Sequence, residues 1–234
     1  MTGTLYAIGL GPGDPELMTL KAARLIASCP VVAWPAADGK PSRARAVAEG
    51  VIAAQAVEIA IDIPMRSARA PAQSVYDRAA AEIGGHLDAG CDVALLCLGD
   101  PLFYGSAMYL QARLAERHPC EVVPGVTALS ACTAVAGLAL TARGEALRVL
   151  PAGEDVAAIV EAVGRGEALA VMKLGRHVAA VRDALEQAGA LGRAVYVAEA
   201  SMPGQTVLPL AEAPDPAPYF SMALVAGGRD PWAR

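Results

Sequence analysis

The residues best suited to chemistry in this sequence lie in two glycine-containing runs, each directly after a short apolar stretch. Gly9-Leu10-Gly11-Pro12-Gly13-Asp14 follows the first, and Gly99-Asp100-Pro101 closes the run from Val93 to Leu98. A continuous apolar run of that length is the pattern of a strand buried on both faces of a parallel sheet. Gly99 permits unusual dihedrals or a close backbone approach, Asp100 supplies one fixed carboxylate, and Pro101 stops the ladder. Open α/β sheets bind ligands outside the carboxyl ends of their strands, so these are the properties of a ligand loop. The plainer reading is an ordinary strand-to-helix turn.

The first loop invites comparison with the dinucleotide fingerprint and fails it on three counts. Asp14 stands where the third small residue belongs, placing a carboxylate where a pyrophosphate would approach the helix. Pro12 removes one N–H from the phosphate cradle. The second strand ends in Val32-Ala33-Trp34-Pro35, with no acidic residue for a ribose hydroxyl. The loop suits a neutral or cationic ligand better. S-adenosylmethionine, with its sulfonium cation, is one such ligand, and backbone carbonyls and fixed carboxylates are sensible neighbours for it. Alternatively, Asp14 simply caps the next helix.

The elements that must position these loops alternate along the chain. Strands are expected at 4–9, 31–34, 57–63, 93–98 and 121–123, and helices at 17–28, 43–54, 72–89 and 106–116. That alternation predicts a parallel sheet with helices on both faces. Pro124-Gly125 interrupts it, and a helix follows from Thr127. Further strands are expected at 148–150, 168–172, 194–197, 205–208 and 221–225, with helices at 155–163 and 178–188. The expected fold is therefore α/β: two α/β domains, 1–122 and 123–234, with mainly parallel sheets and a cleft between them, a preferred place for a small-molecule site.

Composition narrows the function. With 55% hydrophobic and 18% charged residues among 234, the chain reads as globular, and its apolar excess is largely Ala, Val and Leu. The weakly polar run 128–142 is too short for a membrane span and contains Ser130, Thr133 and Gly137. No secretory leader is evident, so the cytoplasm is expected. Five cysteines without a C-x-x-C pair read as buried free thiols, and three histidines without ligand spacing predict no structural metal. A net charge of −5 and the lack of a basic run disfavour a nucleic-acid partner.

Four blocks together carry a family resemblance. They are Gly9 to Ala22, Leu98-Gly99-Asp100-Pro101-Leu102-Phe103-Tyr104-Gly105-Ser106, Val123-Pro124-Gly125-Val126-Thr127-Ala128, and Val171-Met172-Lys173-Leu174-Gly175-Arg176-His177. In this order, each at an expected strand-to-helix junction, they resemble the tetrapyrrole methylases, the S-adenosylmethionine-dependent enzymes that decorate the corrin precursor. The Val149-Leu150-Pro151-Ala152 segment and the loop from Trp34-Pro35 to Ser42 are most similar to members that attack a meso carbon. Carried over, the resemblance implies that Pro12, Leu98, Gly99, Asp100 and Phe103 line the cofactor site, completed by Thr127, Ala128 and Leu174. It also implies a homodimer.

No catalytic residue carries over from the resemblance. Tyr104 and His177, each in a motif loop, are the residues to test for moving a ring proton. A polycarboxylate tetrapyrrole would need cations, and Lys40, Arg43, Arg66, Arg69, Arg143, Lys173 and Arg176 fall in loops after expected strands. Arg66 and Arg176 rank first, since the guanidinium fork suits carboxylates. The bland alternatives are packing for Tyr104, a helix cap for His177 and solvated surface charge for any one cation. Competing functions are a dinucleotide-binding redox or sensor protein, which the missing acidic residue disfavours, and a non-catalytic interaction protein, which leaves the junction motifs unexplained.

Overall fold

The computed structural model describes residues 2–37, 39–64, 69–153 and 156–227, with backbone alone at 69–72. The chain divides into two compact units, Met1–Thr127 and Ala128–Arg234. The first holds β1 (Leu5–Gly9), β2 (Val31–Ala37), β3 (Val57–Ile63), β4 (Val93–Cys97) and β5 (Cys120–Val123), in the sheet order β3-β2-β4-β1-β5. Every pairing in this sheet is parallel. Helices α1 (Leu20–Ser28), α2 (Arg43–Ala48), α3 (Arg69–Asp88) and α4 (Ala107–Leu114) form the crossovers.

Period-two alternation sends side chains to the two faces. Leu5, Ala7, Val31, Ala33, Val93 and Leu95 pack under Ile83 and Leu87 of α3 and Leu110 and Leu114 of α4. Ile8, Val32, Trp34, Ala94 and Leu96 pack under Leu25 and Ile26 of α1 and Val47 of α2. No residue of β4 is more than 4% exposed, as its continuous apolar run requires.

Local chemistry shifts several boundaries. The first long helix starts at Leu20, not near 17, because Thr19 Oγ1 accepts from the Ala22 N–H at 3.1 Å. Asp14 instead accepts from the Glu16 N–H at 2.9 Å and opens a single 3-10 turn, Pro15–Leu17. The helix expected over 43–54 ends at Ala48. Strand β2 runs on through Pro35 to Ala37, past the expected end. Beyond Ala33 it pairs with β3 alone, an edge-like stretch in which a residue without an N–H is tolerated.

The second unit corrects the expectation of two mainly parallel sheets. It contains β6 (Leu147–Pro151), β7 (Ala168–Met172), β8 (Val195–Ala198), β9 (Thr206–Pro209) and β10 (Ser221–Val225), ordered β6-β7-β10-β8-β9. Only β6 and β7 pair in parallel; the other three pairings are antiparallel. Parallel neighbours need a crossover, usually a helix, and between β8 and β10 the described chain holds only loops, β9 and one 3-10 turn, Leu210–Glu212. Strand β10 therefore enters between β7 and β8 in the opposite sense. Helices α6 (Ala157–Gly164) and α7 (Val178–Gln187) cover one face over Leu169, Val171 and Tyr196, and α5 (Ala128–Val135) opens the unit. Because β5 completes the first sheet at Val123, the division falls after Thr127, a few residues past the expected 122/123.

None of the five cysteines is in a disulfide; Cys29, Cys97 and Cys132 are buried and Cys91 and Cys120 half-buried. Burial pushes the Cys29 and Cys132 thiols up to about 12, with Asp92 adding to the rise at Cys29. A raised thiol pKa leaves almost no thiolate near neutrality. Maleimide at pH 7.5 should therefore label the native protein at Cys91 and Cys120 at most, as read by peptide mass mapping. Fast labelling of Cys29 or Cys132 without denaturant would contradict this packing.

Candidate functional site

Strands β4, β1 and β5 are neighbours, so three of the four sequence blocks begin side by side at one edge of the first sheet. The chain leaves β1 toward β2 on one side of the sheet and leaves β4 toward β5 on the other. The carboxyl ends of β1 and β4 are thus a topological switch point, where α/β sheets open a crevice.

The three loops are joined through their backbones. The Leu10 N–H donates to the Cys97 carbonyl at 2.9 Å, and Gly11 and Gly99 exchange hydrogen bonds at 3.2 and 2.7 Å. Both glycines need the left-handed region, with φ of +79° and +75°. A Cβ on Gly125 would lie 2.2 Å from the Gly99 carbonyl oxygen, and one on Gly9 would lie 2.6 Å from the Gly125 nitrogen. Three stretches of main chain touch here, and a side chain on Gly9 or Gly125 would push them apart.

Asp100 fastens this contact. One carboxylate oxygen accepts from the N–H groups of Leu102 at 2.9 Å and Phe103 at 3.1 Å, and the other from the Gly125 N–H at 3.1 Å. The carboxylate is fixed, as its place in the motif suggested, but its oxygens turn into the loop rather than standing as an open charge. The loop then curls tightly: a Cβ on Gly105 would lie 2.4 Å from the Pro101 carbonyl oxygen. Tyr104 is carried at φ +56° and 42% exposed, with its ring edge-on to Phe103 at 5.3 Å.

The first unit thus brings Pro12, Leu98, Gly99, Asp100 and Phe103 to one sheet edge, with Thr127 shortly after Gly125. Pro12 is buried, and Leu98, Phe103 and Thr127 are half-buried. Lys40 and Arg43 are exposed beyond the end of β2, while Arg66 lies outside the described residues.

In the second unit, Ala128 opens α5 and the remaining expected residues follow β7. The Leu174 side chain is wholly buried in that unit's core. Arg176 is exposed, and its Nε donates to His177 Nε2 at 3.3 Å, which places the proton of a neutral imidazole on Nδ1. His177 occupies the N-cap of α7, but its ring makes no capping hydrogen bond; it lies over Gly153, whose Cβ position is 3.3 Å from Nε2. Lys173 Nζ stands 5.7 Å from the centre of the Tyr219 ring. Arg143 is exposed in the segment after α5.

Sequence reasoning passed over Glu199 and Ser201. With Lys173, at φ +60°, they lie at one edge of the second sheet, with φ of +51° and +62°. The only other described non-glycine residue at positive φ is Tyr104. Such strain persists where surrounding structure over-determines it, and it gathers at functional edges. Nothing in the residue types announces it.

The loops of the first unit fit a cofactor with a neutral or cationic reactive group. The Cβ side of Gly99 is open, with no atom within 4 Å, and apolar Leu98 and Phe103 adjoin it. Among the described residues no three His, Cys, Asp or Glu side chains gather to hold a metal ion.

Comparison with known proteins places the chain. Residues 4–214 match the model of the Tetrapyrrole (Corrin/Porphyrin) Methylases. The chain is 40% identical over 237 residues to a precorrin-2 C(20)-methyltransferase of a Sinorhizobium species, covering 97% of both. It is 33% identical to the cobalt-precorrin-2 C(20)-methyltransferase of Salmonella typhimurium, over 96% of this chain and 97% of that one. The solved uroporphyrin-III C-methyltransferase of Thermus thermophilus, complexed with S-adenosylhomocysteine, superposes with a TM-score of 0.64 at 25% identity, over 96% of this chain and 92% of that one. The chain belongs to the tetrapyrrole methylases. It is an S-adenosylmethionine-dependent methyltransferase.

Two substitutions separate backbone contact from side-chain space. Gly99→Ala meets no atom, so its loss is the left-handed backbone cost of about 1–2 kcal/mol. Gly125→Ala must force Gly99 and Gly9 apart, so it should lose more in urea unfolding and abolish S-adenosylhomocysteine binding in calorimetry. Asp100→Ala frees three N–H groups, each bond to the charged acceptor being worth about 1.5–3 kcal/mol, and should weaken the same binding at least tenfold. Equal affinity for wild type and Asp100→Ala would refute this account of the loop.

Proposed function

We propose that the protein methylates C-20 of precorrin-2, giving precorrin-3A in cobalamin biosynthesis. The observation that carries this reading is the 40% identity to the Sinorhizobium enzyme over 97% of both chains. S-adenosylmethionine, when bound, supplies a methyl group on a positively charged sulfur.

The chain's own part is to hold and align. Gly9, Gly11, Gly99 and Gly125 leave main chain where side chains would stand, Leu98 and Phe103 exclude water, and Pro12, Thr127 and Ala128 complete the cofactor site; Leu174, wholly buried in the core of the second unit, presents no surface to a ligand. Such alignment can itself lower a barrier by about 7–11 kcal/mol. The acceptor carbon is an enamine-like nucleophile, so the protein need not create one. Its hydrogen must leave as a proton, and Tyr104 and His177 are the groups proposed to receive or relay it. Arg66 and Arg176 bind substrate carboxylates, with Lys40, Arg43 and Lys173 adding positive charge. The enzyme works in the cytoplasm as a homodimer; no helix among the described residues is long and apolar enough to cross a membrane.

Turnover of metal-free and cobalt-loaded precursor, read by mass spectrometry and by NMR of the new methyl, tests the proposal. One methyl at C-20 of the metal-free compound is expected, and methylation elsewhere would overturn the assignment. Exclusive use of the cobalt compound would favour the activity named for the Salmonella relative. Arg176→Ala should raise KM for the tetrapyrrole severalfold and leave S-adenosylhomocysteine affinity unchanged.

A further inference from the structure

The segment that leads into β10 is tied to its neighbours at several points. Arg182 of α7 donates through Nη2 to the Ala213 carbonyl at 2.7 Å, and the Ala217 N–H donates to the Gly175 carbonyl at 3.0 Å. Ser221, which opens β10, is 5% exposed, and its hydroxyl donates to the Pro218 carbonyl. On one side the Ser221 carbonyl accepts from the Lys173 N–H at 2.9 Å, just past β7. On the other the Phe220 carbonyl accepts from the Glu199 N–H at 2.8 Å, just past β8. Both donors stand at positive φ, Lys173 at +60° and Glu199 at +51°. Strain of that kind persists only where the surroundings over-determine the backbone.

This fixed main chain carries an exposed aromatic pair. Tyr219 is 45% and Phe220 40% exposed, and the two rings meet edge to face with centroids 5.2 Å apart. The Lys173 Nζ stands 5.7 Å from the centre of the Tyr219 ring, within the range of a cation–π contact. Such a contact orients an ammonium without neutralising it. Lys173 is therefore placed from both ends, its main chain by Ser221 and its charge by Tyr219. Glu199, the acid of this edge, is turned over its own loop: a carboxylate oxygen lies 3.7 Å from where Gly204 would carry a Cβ. In a chain of net charge −5, a cation held in this way is a local attraction for an anion that the molecule as a whole repels.

We propose that Lys173 and Tyr219 form a carboxylate subsite in the second unit: the Lys173 ammonium binds one acid side arm of the tetrapyrrole, and Tyr219 is the positioning residue that holds the ammonium in place. Phe220 braces the Tyr219 ring from its edge. This rests on the reading that the substrate is a tetrapyrrole bearing carboxylates, and it assigns one of them a partner.

The test is turnover of precorrin-2 by the full-length protein carrying Lys173→Met, Lys173→Arg, Tyr219→Leu, Tyr219→Phe, or Lys173→Met with Tyr219→Leu. Met keeps an unbranched side chain of similar length, and Phe keeps the ring. KM for the tetrapyrrole should rise about tenfold in Lys173→Met, as loss of one hydrogen bond to a charged group implies. In Tyr219→Leu it should rise about two- to fivefold, the worth of an exposed cation–π contact. Lys173→Arg and Tyr219→Phe should stay near wild type. The double variant should be no worse than Lys173→Met, since Tyr219 acts through the ammonium. Neither kcat nor S-adenosylhomocysteine affinity should move much, and added salt should raise KM less in Lys173→Met than in wild type.

Unchanged KM in Lys173→Met, or additive losses in the double variant, would overturn the proposal. A parallel loss of S-adenosylhomocysteine affinity would assign this edge to the methyl donor and overturn it equally. Wild-type KM in Tyr219→Leu, with a smaller assembly in light scattering, would give the rings to a contact between copies of the chain, again against the proposal. Failure of the wild type to methylate precorrin-2 would instead remove the substrate reading itself, so the two failures are distinguishable.

Discussion

The carboxylate of Asp100, accepting from three backbone N–H groups, is the interaction on which the described site depends. Two of those groups belong to its own loop and one to Gly125, which follows a different strand. It therefore both shapes the turn after β4 and ties it to the turn after β5. The tie forms only because Gly9 and Gly125 lack side chains where their main chains meet that of Gly99. Charge and the absence of volume act together here: the glycines allow the approach, and the carboxylate satisfies N–H groups that the approach removes from solvent.

From that junction the rest of the first unit reads as support. The all-parallel sheet sets the ends of β4, β1 and β5 at one edge, and its two apolar faces are filled by α3 and α4 on one side and by α1 and α2 on the other. A methyl transfer to a carbon that is already nucleophilic asks for alignment more than for strong acids or bases. A site made chiefly of main chain and small apolar groups meets that demand. The second unit by itself carries a basic and aromatic edge, with Lys173, Arg176, His177 and Tyr219, on a sheet of different topology.

Much of this was legible in the residues. Continuous apolar runs such as 93–97, each followed by Gly or Pro and then a helical period, gave the parallel sheet and placed the loops at its edge. The second sheet was less legible: its strands were located, but their sense was not. Direction depends on which strand enters between two others, and β10 takes its place from the far end of the chain. The expected ends of α1, α2 and β2 failed where one cap or one missing neighbour mattered, at Thr19, Ala48 and Pro35. Arg66 stands outside the described residues, and the basic set remains a proposal resting on residue type.

The sequence by itself determined the family, the α/β alternation and the identity of the loops, because these depend on local composition and periodicity. Only the tertiary structure decided what the loop residues do. Asp100 turns inward because Gly125 comes within reach. Lys173 and Glu199 adopt positive φ where a distant segment holds their backbones, their N–H groups bound to the carbonyls of Ser221 and Phe220. Each of these is a contact between residues far apart in the chain. Periodicity records which face a residue occupies, not which distant group it meets there.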